Sequence, residues 1–367
     1  MIYMAYPLLI LLLFYGAVVC KQGEWNEEYL SLKQTKAFLG FCAVIIMFHH
    51  ISQKTCEPSL DQRWFRPGLE FFIYVGYLCV AMFFFCSGYG MYTSFRKGRR
   101  DTSFGRYFLR RIPPVIIPAV IMWLVFFFIE KMRGMIIEPP VLINVFDYIW
   151  YVPALLFVYL IFYPCFYIIK DEKLSFIFLW LGILLYFILC AFFSPGTWWY
   201  NTQFMFAVGA MVGANVSGFT EFSRRNYIPC IVVSFILTLT GYILAGYYGE
   251  IVTYLGISYN EAVYGYIKIT AQLISSLFFV WLMLLIGMKI RIGNRILDFL
   301  GGFTLELYLV HPLFVHLFAF AFVQNASGPV FYIENQVIYI LAVIMPSLPI
   351  AYVIHKGVYK ITKRGKK

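Results

Sequence analysis

The chain has 367 residues, of which 62% are hydrophobic, 21% aromatic and only 13% charged. Soluble domains carry charge on about a quarter of their residues, so this composition excludes one and indicates a polytopic membrane protein. The net charge of +11 needs no nucleic-acid partner, because basic residues collect in the cytoplasmic loops of membrane proteins.

Apolar runs of bilayer length, roughly 20 residues each, fall near 2–20, 37–53, 71–94, 113–130, 148–169, 174–193, 201–219, 227–248, 263–288, 299–323 and 336–355. The expected fold is therefore all-α, a polytopic transmembrane bundle with a ten-helix core and one extra N-terminal helix. The first run has no basic residue ahead of it, and Lys21 follows it. That pattern predicts a retained helix with its N-terminus outside, not a cleaved signal. Residues 1–29 then form this helix and a short cytoplasmic linker, 30–355 the main transmembrane domain, and 356–367 a basic cytoplasmic tail.

Charge supports this orientation. Of the 29 Lys and Arg residues, 23 lie in the alternate segments 21–36, 95–112, 170–173, 220–226, 289–298 and 356–367. Lys54, Arg63, Arg66, Lys131 and Arg133 lie in the opposite loops, and Lys268 lies inside a span. Trp150-Tyr151 and Trp198-Trp199-Tyr200 mark interfaces. Seven of the eight cysteines lie in or beside apolar segments and no C-x-x-C occurs, so neither a disulfide framework nor a metal site is expected.

Four places carry ionisable or polar groups that could do chemistry. The second run begins at Lys33 and Lys36 and ends on His49 and His50. Such groups are costly in a membrane and mark sites, and histidine exchanges a proton near neutral pH. Lys36 and His50 are about 21 Å apart along a helix and within about 40° of one face, with His49 about a quarter turn away. Either this face links a cytoplasmic cation to a histidine in the outer half, or Lys36 anchors topology and His50 is a packed polar residue. The densest basic segment, Arg96 to Arg111, contains Arg106, Arg110 and Arg111; the last two run into Pro113-Pro114 at a helix start. It suits the phosphates of a nucleotide-type cosubstrate, or equally anionic lipid. Ser87-Gly88-Tyr89-Gly90 allows close helix approach or an unwound turn. Tyr308 and His311 share a helix face, whereas Glu306 points away from His311, and His316 follows. His311 is read either as a hydrogen-bonded buried side chain or as part of a substrate pocket.

Taken in order, these elements resemble the membrane acyltransferase family 3, the integral membrane O-acyltransferases of surface glycans. The resemblance runs from Thr35-Lys36-Ala37-Phe38-Leu39-Gly40 to His49-His50, then through Phe83-Phe84-Phe85-Cys86-Ser87-Gly88-Tyr89 and Arg110-Arg111-Ile112-Pro113-Pro114. It continues through Trp150-Tyr151, Trp198-Trp199-Tyr200-Asn201, the Gly209 region and Tyr308-Leu309-Val310-His311. It implies an enzyme moving an acyl group, most often acetyl, from cytoplasmic acyl-CoA to a hydroxyl of a surface polysaccharide or its lipid-linked precursor. It also implies a bacterial cytoplasmic membrane and no permanently bound cofactor. His50 would be the general base, although a covalent acyl-histidine step stays open. Lys36, Arg106, Arg110 and Arg111 would hold the cosubstrate, and His49, Ser87, Tyr308 and His311 the substrates. One departure stands out: the family's basic residue eleven positions before the histidine is Leu39 here, with Lys36 one turn deeper as its substitute. A transporter or flippase of a lipid-linked sugar, or an inactive family member, are the competing readings.

Overall fold

In hydrocarbon no water reaches the backbone, so apolar segments fold as helices that satisfy their own N–H and C=O groups. A computed structural model of the chain describes residues 2–60, 62–97, 103–132, 149–193, 196–258, 260–319 and 331–364. Arg99, Arg100, Arg133, Lys366 and Lys367, which entered the charge count, lie outside the described residues, as do residue 148 and residues 320–323 of two apolar runs. The helices are α1 (Ala5–Phe14), α2 (Leu32–Thr55), α3 (Gly76–Arg96), α4 (Phe104–Arg111), α5 (Pro113–Met132), α6 (Tyr151–Tyr163) and α7 (Glu172–Phe193). They continue with α8 (Phe204–Ala214), α9 (Val216–Arg225), α10 (Tyr227–Tyr254), α11 (Glu261–Lys289), α12 (Arg295–Leu300), α13 (Thr304–Phe318) and α14 (Gln336–Arg364). Two short strands, β1 (Val18–Val19) and β2 (Ile290–Arg291), pair antiparallel.

Among the described residues, eight helical segments are long and apolar enough to cross a bilayer: α2, α3, α5, α6 with its π turn to Ile168, α7, α10, α11 and α14. Ile2–Phe14 and Thr304–Phe318 are shorter apolar helices. The polytopic helical fold class is as expected, but three runs differ in detail. The run 2–20 is helical only to Phe14; Gly16 then turns the chain at φ 73°, and β1 follows. The run 201–219 is broken at Asn215, whose backbone leaves the helical region. Its side chain caps the next helix by accepting from Gly218 N at 3.0 Å, the usual role of Asn at a helix start. The run 299–323 divides at Gly301–Phe303 into α12 and α13. Residues 356–364 of the basic tail continue helix α14, which ends at Arg364.

Helix α1 is tied at one end to the segment between α2 and α3 and at the other to the turn before α12. Ile2 fills the space over Gly68, and Tyr6 stacks on Phe72 at 5.2 Å. At the other end Asn294 Nδ2 donates to Leu12 O at 2.9 Å. Helices α3 and α8 cross closely because each has glycine at the contact. A Cβ at Gly88 would strike Phe206 O, and a Cβ at Gly209 would strike Phe85 O. Small residues permit such backbone approach in membranes. The core lies around this crossing, with Phe84, Phe85, Phe162, Phe206, Met47 and Met205 fully buried. Helix α7 buries only 11% of its apolar window against the protein, so the rest of that surface suits lipid. The short helices α4 and α9 lie at the basic end. Arg106 and Arg110 of α4 are exposed while Tyr107 is buried, and its hydroxyl donates to Tyr159 O at 2.6 Å.

Candidate active site

Helix α2 is the spine of the site. Ser31 starts it by accepting from Gln34 N, and three cavities follow one another along it. The cavity at the basic end, about 1640 Å³, is lined by Trp25, Glu27, Leu32, Thr35, Cys86, Gly90, Arg96, Lys97, Arg224 and Arg225, among others. The middle cavity, about 390 Å³, shares Leu32, Thr35 and Cys86 with it and adds Lys36, Leu39, Ser87, Tyr151 and Tyr159. The far cavity, about 540 Å³, shares Ile46, Val80 and Tyr308 with the middle one. It is lined by His49, His50, Gln53, Lys54, Trp150, Trp198, Asn201, Lys268, Gln272 and His316.

The imidazoles are held by directional bonds that fix their protons. His311 Nδ1 lies 2.7 Å from Leu307 O. A carbonyl can only accept, so His311 Nδ1 is the donor. In the neutral ring His311 Nε2 is then an acceptor, and His50 Nδ1, 2.7 Å away, must donate to it. The neutral His50 ring therefore keeps its lone pair on Nε2, the arrangement a general base requires. The two ring planes lie 14° apart with their centroids at 4.9 Å, so the rings meet edge to edge. His49 is anchored separately: its Nδ1 donates to Phe72 O at 2.9 Å. Its ring lies over Gly76, where a Cβ would strike His49 Cδ2 and Nε2.

The expected site residues divide accordingly. Lys36, Ser87, His49, His50 and Tyr308 all line the cavity string. Lys36 and His50 lie on the single helix α2, Lys36 in the wall of the middle cavity beside Leu39 and His50 in that of the far one. His311 is fully buried and is not among the residues lining these cavities; its Nε2 meets His50 Nδ1. Glu306 turns from His311 to pair with His355 at 2.9 Å, as its helical position suggested. Arg106, Arg110 and Arg111 sit on α4, outside the walls of all three cavities. The basic mouth is built by Arg96 and Lys97 from the end of α3 and by Arg224 and Arg225 from α9. Arg96 donates to Ala214 O at 3.0 Å, and Arg224 pairs with Glu27 at 2.8 Å. Sequence reading missed the α9 pair because that helix was absorbed into an apolar run and its cytoplasmic loop. Its Asn215 break and the Arg224-Arg225 dipeptide were the available signal.

A family model described as an acyltransferase domain, that of acyltransferase family 3, matches residues 40–356. The chain belongs to this family. It is a membrane acyltransferase, built as an integral multi-pass helical protein. The family segment takes in both α2 histidines, the α3–α8 crossing, the Arg224-Arg225 pair and His311. It begins after α1 and just after Lys36 and Leu39. Comparison with curated proteins and with solved structures gave no significant match.

Proposed function

We propose that this acyltransferase moves an acyl group, most simply acetyl, from acyl-CoA to a hydroxyl of a cell-surface glycan or its lipid-linked precursor. The observation that carries this reading is the string of cavities along α2. The three lie in succession and share wall residues, from a mouth lined by Arg96, Lys97, Arg224 and Arg225 to the chamber of His50. The nucleotide phosphates of the donor pair with the mouth's guanidinium groups, and the flexible thioester arm extends past Thr35 and Lys36 into the middle cavity. Lys36 supplies there the positive charge that Leu39 lacks. Arg106, Arg110 and Arg111 extend the basic surface outside the mouth, for the donor's approach or for anionic lipid. The positive-inside pattern puts this end in the cytoplasm, and a bacterial cytoplasmic membrane suits the substrates.

The acceptor enters the far cavity. His50 Nε2 takes the hydroxyl proton as the hydroxyl oxygen forms its bond to the thioester carbonyl carbon. The C–S bond then breaks, and the departing CoA thiolate takes the proton from His50. Products are an O-acyl ester and CoA thiol, with no net proton change. Tyr308, in the wall common to both chambers, offers its hydroxyl to the carbonyl oxygen, as does Ser87. His311 steadies the imidazolium through the 2.7 Å bond. Purified full-length protein in lipid nanodiscs, given radiolabelled acetyl-CoA and candidate polysaccharides, tests the reading. CoA thiol release matched by label in the glycan supports it. No thioester cleavage with any acceptor returns the protein to the transporter or scaffold readings.

A further inference from the structure

The far cavity holds a cation that the acyl-transfer chemistry does not use. Lys268 lies about 10 Å along α11 from its start at Glu261 and lines the same cavity as His50. Among the described residues no carboxylate comes within ion-pair distance of it; its Nζ sits 5.4 Å from the Tyr264 ring. Among the described residues the one carboxylate in the cavity wall, Glu57, makes no ion pair with Lys268. A lysine at membrane depth is costly unless paired, so an unpaired one facing a substrate chamber marks where an anion is received.

A second observation points to a ligand at the same wall. Asn201 is 2% exposed; its Nδ2 donates to Gln272 Oε1 at 3.1 Å, yet its Oδ1 has no hydrogen-bond partner. Gln272 lies one turn beyond Lys268, on the same helix face. Buried polar atoms are normally satisfied, and a sugar hydroxyl would satisfy this one. Trp150 and Trp198, in the same wall, offer flat apolar faces to a sugar ring.

We propose that the far cavity selects acceptors carrying an anionic group, a carboxylate or a phosphate, which pairs with Lys268 while a hydroxyl of the same molecule meets His50. The fate of that hydroxyl rests on the acyl-transfer reading, but recognition of the anion does not, so binding alone tests it. Full-length protein in neutral-lipid nanodiscs is titrated by calorimetry with three probes: a hexuronate trisaccharide, the neutral hexose trisaccharide of the same linkage, and a hexose 1-phosphate. Wild type binds one or both anionic probes about tenfold more tightly than the neutral one, with the preference shrinking as salt rises. Lys268→Met removes the preference and keeps the neutral probe's affinity, and Lys268→Arg restores it. The anionic probe that gains most identifies an acidic sugar or a lipid-linked phosphate as the source. Equal wild-type binding of all three probes overturns the proposal. So does a Lys268→Met protein that loses neutral and anionic probes alike, since that marks a structural lysine. Absence of thioester cleavage would instead count against the acyl-transfer reading and leave these binding results standing.

Discussion

His50 Nδ1 and His311 Nε2 lie 2.7 Å apart, with Leu307 O closing the chain behind them. The carbonyl sets the direction of both bonds and so leaves the His50 lone pair on Nε2. His311 is a positioning residue in this account: it fixes the tautomer of the base without touching substrate. His311→Ala should lower kcat roughly 10- to 100-fold, part of the ~10²–10⁴ that general-base catalysis supplies, with little change in KM for donor or acceptor. His311→Gln, whose amide can still accept from His50, should recover much of the loss. Steady-state kinetics together with thermal unfolding of each variant separates this from misfolding, which would lower the unfolding temperature of both variants alike.

The donor mouth yields a comparison between two arginine pairs. Arg96→Gln with Arg225→Gln should raise KM for acyl-CoA by tenfold or more, because charge-assisted bonds to phosphate are lost. Arg110→Gln with Arg111→Gln should raise it less, since those side chains stand outside the cavity walls. Measuring KM for both double variants at low and moderate salt checks the order. The reverse order would move the donor site to α4.

Glu27 tempers that mouth. By accepting a hydrogen bond from Arg224, and by the attraction of its charge, its carboxyl is held below the usual glutamate range. A carboxyl lowered in this way stays ionised and paired through that range, and the pairing is lost only as pH falls below it. Glu27→Gln should therefore lower KM for acyl-CoA several-fold at pH 7, by freeing Arg224 and removing a negative charge. The difference from wild type should persist through the usual glutamate range and close only below it. Donor-binding isotherms across that range check the sign.

The α3–α8 crossing should tolerate no added side-chain volume. A Cβ at Gly209 meets the backbone of Phe85 and Tyr89, which cannot swing aside as a flexible side chain would. Gly209→Val should destabilise the folded protein by about 1–3 kcal/mol, read as a lower unfolding temperature in detergent. Gly90→Ala, on the facing helix α3 with open space around it, should leave that temperature unchanged.

The membrane character of the chain, and the single helix that carries Lys36, Leu39 and His50, were legible because composition and helical spacing are local properties. The pairing of His50 with His311 was not. The two are 261 positions apart, and only the packing of α13 on α2 turns His311 toward His50. The basic mouth was legible only in part. Charge density drew attention to Arg96 through Arg111, but a cavity wall is set by where α9 docks, and nothing local says that Arg224 and Arg225 arrive beside Arg96. The first run misled by its hydrophobicity, which continues past Phe14 although Gly16 turns the chain into β1.

The central claim is that His50, through Nε2, is the base, and His49 is not. The direct measurement is transfer of radiolabelled acetyl from acetyl-CoA to glycan by His50→Ala and His49→Ala proteins of matched folding. The account predicts that His50→Ala abolishes transfer, a loss of ~10²–10⁴-fold. His49→Ala, which loses a side chain bonded to Phe72 O and seated on Gly76, keeps partial activity. Normal transfer by His50→Ala would contradict the mechanism, whatever the family.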